Sequence, residues 1–295
     1  MKLKRLSFAF LLFVILASSP ATANNSPACE TLYFPIDFDQ YGLPYIGLMI
    51  DNSVYRAHVD LGASHALHLP QKMLSKIPNL KPTGKLVETL NVAGESFTAK
   101  QYTIPTLTVK CMDFNNLTAL ELKNWGAKLG ATHKEHNNKD IIIGADFFHG
   151  KTIQIDYKRR LLTVFGQDEK LNTPSDLNES LSFERSVFGI SISLSSGVKY
   201  YQMVLDTGAS ASLISANRID NKERISSCQF VVSEHIECQY INTLLMAYGL
   251  PFRSKLYLYP ITEKFQYDGI LGRDFFQQFI VTLNFSNNTI TLTSA

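Results

Sequence analysis

The segment Asp60-Leu61-Gly62-Ala63-Ser64 recurs in the second half of the chain as Asp206-Thr207-Gly208-Ala209-Ser210. Each copy is followed by an apolar run that ends in glycine, first Ile141-Ile142-Ile143-Gly144 and later Gly269-Ile270-Leu271-Gly272. Self-similarity in the same order predicts two related lobes. Two copies of one carboxylate-bearing turn also predict two carboxylates that meet near a pseudo-twofold axis.

Strand signals dominate both halves. Short segments rich in β-branched and aromatic residues, such as 45–50, 54–59 and 200–205, are separated by turn-forming residues. Long amphipathic periods are scarce, and residues 117–129 are the best candidate for a helix. The fold class predicted from these patterns is mostly β.

The first residues have the pattern of a signal peptide. Lys2, Lys4 and Arg5 precede an apolar stretch at 6–17, and Ala21-Thr22-Ala23 supplies a small-x-small cleavage pattern. The expected signal peptide is therefore 1–23, and the mature chain is expected to be exported, periplasmic or secreted. An uncleaved anchor is the alternative, although the apolar stretch is short for a membrane span.

The remaining chain is divided by a polar segment. Residues 167–180 contain Pro174 and several Asn and Asp residues, which is typical of a linker. The predicted domains are therefore an N-terminal lobe at 24–166 and a C-terminal lobe at 181–295.

The overall charge excludes one class of partner. The 295-residue chain has a formal net charge of +2 and no basic run interleaved with aromatic residues, so a nucleic-acid partner is not expected. No stretch after the signal peptide is long and apolar enough to predict a membrane span.

The four cysteines can form disulfides if the chain is exported. Cys228 and Cys238 flank a short hairpin-like segment and could pair across it, which would leave Cys29 with Cys111. Four buried free thiols are the alternative, because sequence alone does not give connectivity. The cysteines lack the C-x-x-C spacing of a zinc site.

The paired aspartates suggest acid–base chemistry. Two carboxylates that lie a few ångströms apart cannot both ionise easily, so they share a proton over a wide pH range. The ionised carboxylate can then activate a water molecule, while the protonated one polarises a carbonyl group. Asp60 and Asp206 are the candidate catalytic residues.

These motifs resemble those of retropepsin-like aspartic proteases, with two retroviral-protease-like lobes fused in one chain as in the pepsin-like enzymes. The paired Asp-x-Gly-Ala-Ser and apolar-apolar-Gly-x-Asp segments carry the resemblance, which extends over about residues 33–292. It implies a bilobal acid-protease fold, with two pseudo-twofold-related, closed β-barrel-like lobes and short helices near Asp146 and Asp274. It also implies an aspartic endopeptidase that acts as a monomer on a polypeptide substrate and needs no cofactor or metal.

The resemblance assigns roles to further residues. The residues that would support the catalytic loops are Leu61, Gly62, Thr207 and Gly208. A β-hairpin flap is expected in each lobe, at 92–97 with Gly94 near the tip and at 230–236. The candidate flap and substrate-binding residues are Gly94, Ser233 and Glu234.

The first motif departs from the family pattern at Leu61. The residue after the catalytic aspartate is normally Thr or Ser, and its hydroxyl hydrogen-bonds across the axis to the opposite loop. Thr207 can make this bond and Leu61 cannot. A catalytically silent peptide-binding protein that keeps the cleft is therefore the alternative function.

Other polar residues near the motifs have simpler explanations. His58, His65 and His68 surround the first motif but lack the spacing of a known metal motif. Asp146 and Asp274 are expected to cap short helices or form salt bridges. Ala63 and Ala209 stand where pepsin-like enzymes often have Ser, which suggests a less acidic working range for the dyad.

Overall fold

The structure is a computed structural model. It describes residues 29–90, 94–123, 140–166, 181–197, 199–219, 224–233 and 236–295. The predicted signal peptide at 1–23 and the predicted linker at 167–180 lie outside the described residues.

Within the described ranges, each half of the chain supplies eleven β-strands. The first half contains β1 (Thr31–Pro35), β2 (Asp37–Phe38), β3 (Pro44–Ile50), β4 (Ser53–Val59), β5 (Leu67–Leu69), β6 (Lys81–Leu90), β7 (Ser96–Val109), β8 (Met112–Glu121), β9 (Ile141–Ile143), β10 (Thr152–Asp156) and β11 (Leu161–Phe165). The second half contains β12 (Leu181–Ser182), β13 (Glu184–Ser186), β14 (Gly189–Ser196), β15 (Lys199–Leu205), β16 (Leu213–Ser215), β17 (Ser226–Ser233), β18 (Ile236–Ala247), β19 (Leu250–Tyr259), β20 (Gly269–Leu271), β21 (Phe279–Asn284) and β22 (Thr289–Ser294).

Helical structure is limited to short segments among the described residues. Single 3₁₀ turns span Gln71–Met73, Ala145–Phe148 and Ala216–Arg218, and the one α-helix described, α1, spans Arg273–Phe276. The turn at Ala145–Phe148 and α1 begin directly after Gly144 and Gly272, where the resemblance implied short helices.

The two lobes have the same sheet topology. The eight-stranded sheet of lobe one has the order β2-β3-β4-β9-β5-β8-β7-β6, and that of lobe two has the order β13-β14-β15-β20-β16-β19-β18-β17. In each sheet the strand before the aspartate motif runs parallel to the apolar strand, β4 with β9 and β15 with β20. The repeated sequence pattern is therefore a repeated fold, as predicted.

A third sheet joins the lobes. Its order is β1-β11-β10-β21-β22-β12, so each half of the chain contributes three strands. The junction is the antiparallel pair β10–β21, in which Thr152 is opposite Asn284 and Ile155 is opposite Val281. Because this sheet connects the halves by backbone hydrogen bonds, the lobes are held as one body.

One hydrophobic core runs through both lobes. It includes Leu61, Phe148, Phe275 and Phe276, all nearly inaccessible to solvent. A second, smaller apolar cluster lies in lobe two and consists of Val204, Leu213, Cys238, Tyr259, Ile261, Phe265 and Ile270. The Phe-Phe pairs after each glycine are thus core residues.

The helix predicted at 117–129 is wrong for its first part. Residues 117–121 belong to β8, which pairs with β7 on one side and with β5 on the other. Pairing on both sides buries Leu117, Ala119 and Leu120, so tertiary contacts override the weak helical period. Residues 124–129 lie outside the described part of the chain.

Both predicted disulfides are present. Cys29 bonds to Cys111 across 82 positions, which ties the start of β1 to the turn between β7 and β8. Cys228 bonds to Cys238 across 10 positions and links β17 to β18. The alternative of four free thiols is therefore wrong.

The two disulfides close loops of different length, so they are expected to contribute differently to the free energy of unfolding. Since the loop-closure term grows with loop length, we expect Cys29→Ser/Cys111→Ser to lower the free energy of unfolding by about 4 kcal/mol, and Cys228→Ser/Cys238→Ser by about 3 kcal/mol. Denaturant unfolding of the two double variants and the wild type measures this difference. A larger loss for the Cys228–Cys238 pair would contradict the loop-length argument.

Candidate active site

The two motifs place Asp60 and Asp206 at equivalent positions in the lobes. Each aspartate follows the last residue of a central strand, β4 or β15. The Asp60 amide donates to Ile143 O at 2.8 Å, and the Asp206 amide donates to Leu271 O at 2.9 Å. The apolar strand of each motif thus fixes the point at which the chain turns away from the sheet.

The glycines of the motifs allow the two loops to approach each other. A Cβ atom built on Gly62 would lie 2.7 Å from Cγ of Asp206, and one built on Gly208 would lie 2.7 Å from Cγ of Asp60. Real Cβ contacts are not that short, so any other residue would displace the opposite carboxyl group. The sequence predicted that these glycines permit a tight turn. The structure shows that glycine is required because the carboxyl group of the opposite loop lies too close for a side chain.

The carboxyl groups of Asp60 and Asp206 each lie against the glycine of the opposite loop, close enough for each carboxyl to affect the pKa of the other. Backbone amides hold each of them as well. Asp60 Oδ1 accepts from Gly62 N at 3.0 Å and Ala63 N at 3.2 Å, and Asp206 Oδ1 accepts from Gly208 N at 2.8 Å. The carboxyls therefore face each other with their orientation set by the loop backbone.

This arrangement favours a shared proton. Burial raises the pKa of Asp60, and hydrogen bonds from Asp206 and the loop amides oppose that rise. Burial, followed by the negative charge of Asp60, raises the pKa of Asp206 well above its usual range. One carboxyl group consequently retains a proton at a pH where an exposed aspartate would have lost it.

The Thr207 hydroxyl forms hydrogen bonds across the axis, and the Leu61 side chain cannot form the equivalent bonds. The Thr207 hydroxyl donates to Val59 O at 2.7 Å and accepts from Leu61 N at 2.9 Å. Leu61 has no hydroxyl, and its side chain is fully buried in the main core. The leucine therefore exchanges one cross-axis hydrogen bond for apolar packing, while its own amide remains bonded to Thr207.

The two aspartates beyond the glycines have different partners. Asp146 in lobe one forms an ion pair with Arg185 in lobe two. Asp274 stays within lobe two and accepts from Ser212 Oγ at 2.6 Å and Ser254 Oγ at 2.8 Å. The sequence predicted structural roles for both aspartates but did not reveal Arg185, Ser212 or Ser254, because these partners are remote along the chain.

Arg273 also extends from lobe two towards lobe one. Its guanidinium carbon lies 5.7 Å from the centroid of the Phe38 ring. The arginine packs closely against Gly42, which has a φ of +78°. Any side chain at Gly42 would collide with the guanidinium group, so the β2–β3 turn is shaped to accept it.

The predicted flap residues lie at or near hairpin connections. Gly94 lies between β6 and β7 with a φ of +89°. A Cβ built on it would lie 3.1 Å from the Thr262 side chain, so this connection reaches lobe two. Ser233 is the last residue of β17, and Glu234 lies outside the described residues.

The histidines near the first motif do not converge on a metal site. The rings of His65 and His68 are in edge contact, with centroids 6.2 Å apart, and His58 Nε2 lies 3.5 Å from Asp140 Oδ2. Among the residues that the structure describes, no group of three or more His, Cys, Asp or Glu side chains is arranged to hold a metal ion.

The cross-axis hydrogen bonds of Thr207 are expected to stabilise the protein. Thr207→Val removes the hydroxyl and leaves the amide of Leu61 and the carbonyl of Val59 without this partner in a buried site. We expect a loss of about 2–3 kcal/mol in the free energy of unfolding, measured by denaturant titration. Thr207→Ser keeps the hydroxyl and is the matched control, and equal stability of the Val variant and the wild type would contradict the assignment.

The raised pKa of Asp206 predicts a pH-dependent effect of Asp206→Asn on stability. Between the usual aspartate pKa and the raised one, the folded state holds more protons than the unfolded state, so the free energy of unfolding decreases as the pH rises. The amide variant should therefore melt at a higher temperature than the wild type at pH 7 but not at pH 3. Thermal unfolding at both pH values tests this.

Asp51→Asn, at an exposed turn position, is the control for a change of one charge. A variant Asp206→Asn that destabilises the chain at pH 7 would show that Asp206 is not held in a repulsive environment.

Comparisons with known proteins agree with this geometry. A family model described as retroviral aspartyl protease matches residues 184–284. Among solved structures, the crystal structure of an aspartic proteinase from Irpex lacteus superposes with a TM-score of 0.52 at 13% identity, covering 90% of this chain and 97% of that chain. No curated protein sequence matches the chain significantly. The protein therefore has the bilobal fold of the retropepsin-like aspartic proteases, built from two pseudo-twofold-related lobes.

Proposed function

We propose that the protein is an aspartic endopeptidase, with Asp60 and Asp206 as the catalytic pair. The observation that supports this best is the close approach of the two carboxyl groups across the axis, where each lies against the glycine of the opposite loop. Neither residue is completely covered by protein atoms, so a water molecule can approach the pair. The retroviral aspartyl protease match and the shared fold support the same reaction class.

The proposed mechanism uses the unequal protonation of the pair. The ionised carboxylate removes a proton from a water molecule, which attacks the carbonyl carbon of a peptide bond. The protonated carboxyl donates a hydrogen bond to the carbonyl oxygen as negative charge develops there. The proton taken from water then passes to the peptide nitrogen as the C–N bond breaks and the amine leaves. This is the known chemistry of aspartic-protease dyads, in which two close carboxyls share one proton.

The two half-sites come from one chain, so catalysis requires no second copy, and a monomer is the proposed state. The proposed substrate is an extended polypeptide that lies under the hairpin of β6 and β7.

Export is supported by the signal-peptide pattern at 1–23 and by the two disulfides. Among the described residues no helix is long and apolar enough to cross a bilayer.

A catalytically silent peptide-binding protein is the second candidate, and Leu61 is the observation that favours it. A threonine at this position would give lobe one a hydroxyl matching that of Thr207. Three hydrogen bonds argue against a displaced Asp60. The Leu61 amide keeps its bond to Thr207, and the Asp60 carboxyl keeps its bonds to Gly62 N and Ala63 N.

Peptide cleavage separates the two candidates. We expect the purified mature chain to cleave a diverse peptide pool somewhere between about pH 3 and pH 8, with activity falling as the pH rises through the raised pKa of the pair. Asp206→Asn should lower kcat/KM at least about a hundredfold, because it removes one half of the acid–base pair.

Two variants complete the experiment. Cleavage that persists in Asp206→Asn would refute the proposed dyad. If the wild type does not cleave and Leu61→Thr does, the silent-binder function is supported and Leu61 is the cause of the inactivity.

A further inference from the structure

A small, partly open cavity lies in lobe one, outside the dyad. It is lined by His68, Thr89, Ala99, Leu120, Glu121 and Lys123. His68 lies on β5, Thr89 on β6, Ala99 on β7, and Leu120 and Glu121 on β8. The cavity is therefore bounded by the flap hairpin on one side and by the strand that follows the catalytic loop on the other.

The position of these strands puts the cavity beside the cleft. Thr89 is one residue from the end of β6, and its hydroxyl donates to Phe97 O at 3.2 Å close to the hairpin connection. That connection reaches Thr262 in lobe two through Gly94. His68 contacts the ring of His65, which follows directly after the first motif. A side chain of a bound peptide that points into lobe one below the flap would meet this cavity.

Glu121 gives the cavity an acidic wall. Its side chain is only 12% exposed, and Oε1 lies 3.2 Å from Lys123 Nζ. The other oxygen, Oε2, is buried, and no described residue hydrogen-bonds to it. A buried carboxylate oxygen without a donor is costly, so a donor supplied by a ligand would be favoured there.

Two further features fit a compact cation. The ammonium group of Lys123 contacts Oε1 of Glu121, and its side chain is 43% exposed, so it can turn towards solvent when a ligand cation occupies the cavity. Burial, with a smaller effect of the nearby His65, lowers the pKa of His68 to about 3. His68 is consequently neutral at ordinary pH and does not repel a positive charge.

Lobe two lacks this acidic wall. The parallel pair β5–β8 places His68 opposite Leu120 and Leu69 opposite Glu121. The equivalent pair β16–β19 places Ile214 opposite Leu258 and Ser215 opposite Tyr259. Where lobe one has His68 and Glu121, lobe two therefore has Ile214 and Tyr259, so the two halves of the cleft differ in polarity.

We propose that Glu121 makes this cavity a subsite for the ammonium group of a lysine side chain in the substrate. The inference rests on the proposed peptidase function and specifies its substrate class. The cavity is small, so it suits a compact ammonium group better than the planar, wider guanidinium group of arginine. The methylene chain of the lysine would run along Thr89 and Ala99 beneath the flap.

The test compares two peptides that differ at one position. Cleavage of a peptide library by the mature chain at about pH 6 first identifies the position at which lysine is enriched. Matched peptides with lysine or norleucine at that position are then assayed. We expect kcat/KM to be about tenfold higher for lysine, and Glu121→Gln to bring the ratio to about one.

Glu88→Gln is the matched control, because Glu88 is exposed on the same hairpin and does not line the cavity. The control should keep the tenfold ratio. Cleavage by the wild type without a preference for lysine would overturn the inference while leaving the peptidase function intact, and so would a preference that survives Glu121→Gln.

Absence of all cleavage would count against the peptidase function and not against the subsite. In that case a lysine-containing peptide that binds the wild type is selected from the same library, and it and its norleucine counterpart are titrated against the wild type and Glu121→Gln by calorimetry. A tighter complex with the lysine peptide, lost in Glu121→Gln, would support the subsite, and equal affinities would overturn it.

Discussion

The close approach of the carboxyl groups of Asp60 and Asp206 across the axis sets the tightest constraint on this structure. Two acidic groups can stay that close only if they share a proton and if the backbone prevents them from separating. Amides of each loop hold the carboxyl of that loop, and glycine at Gly62 and Gly208 lets the opposite carboxyl approach. The sheet order, the Gly-Ala-Ser turns and the buried apolar strands all serve to maintain this one contact.

The lobes are related by pseudo-symmetry, but the side chains that fasten them are not. Thr207 bonds to the loop that carries Asp60, Arg185 pairs with Asp146, and Arg273 packs against Phe38. All three residues belong to lobe two and act on lobe one. Since β10 and β21 already join the halves by backbone hydrogen bonds, the fold can accept a leucine at position 61 without separating the loops. The same asymmetry extends to the strands, where the register places Glu121 of lobe one at the position of Tyr259 in lobe two.

Much of the fold was predictable because its determinants are local or repeated. The duplicated motif predicted two lobes, alternating β-branched segments predicted strands, and the short spacing of Cys228 and Cys238 suggested their pairing. The failure at 117–121 has a physical cause: β8 lies between β5 and β7, so both its edges are paired, and burial from that pairing masks the alternation that marks a one-sided strand. Arg185, Ser212 and Glu121 were not found from sequence, because each acquires its meaning only from a partner brought close by folding.

The sequence by itself determined the mostly β fold, the pair of aspartates and the missing hydroxyl at Leu61, because these depend on residue type and on repetition along the chain. Only the tertiary structure decided that Leu61 leaves Asp60 in place. The amide of Leu61, which no sequence pattern reports, is bonded to Thr207 across the axis, and the leucine side chain lies in the core. Distances between remote groups set hydrogen bonding, burial and pKa, and these distances exist only in the folded chain.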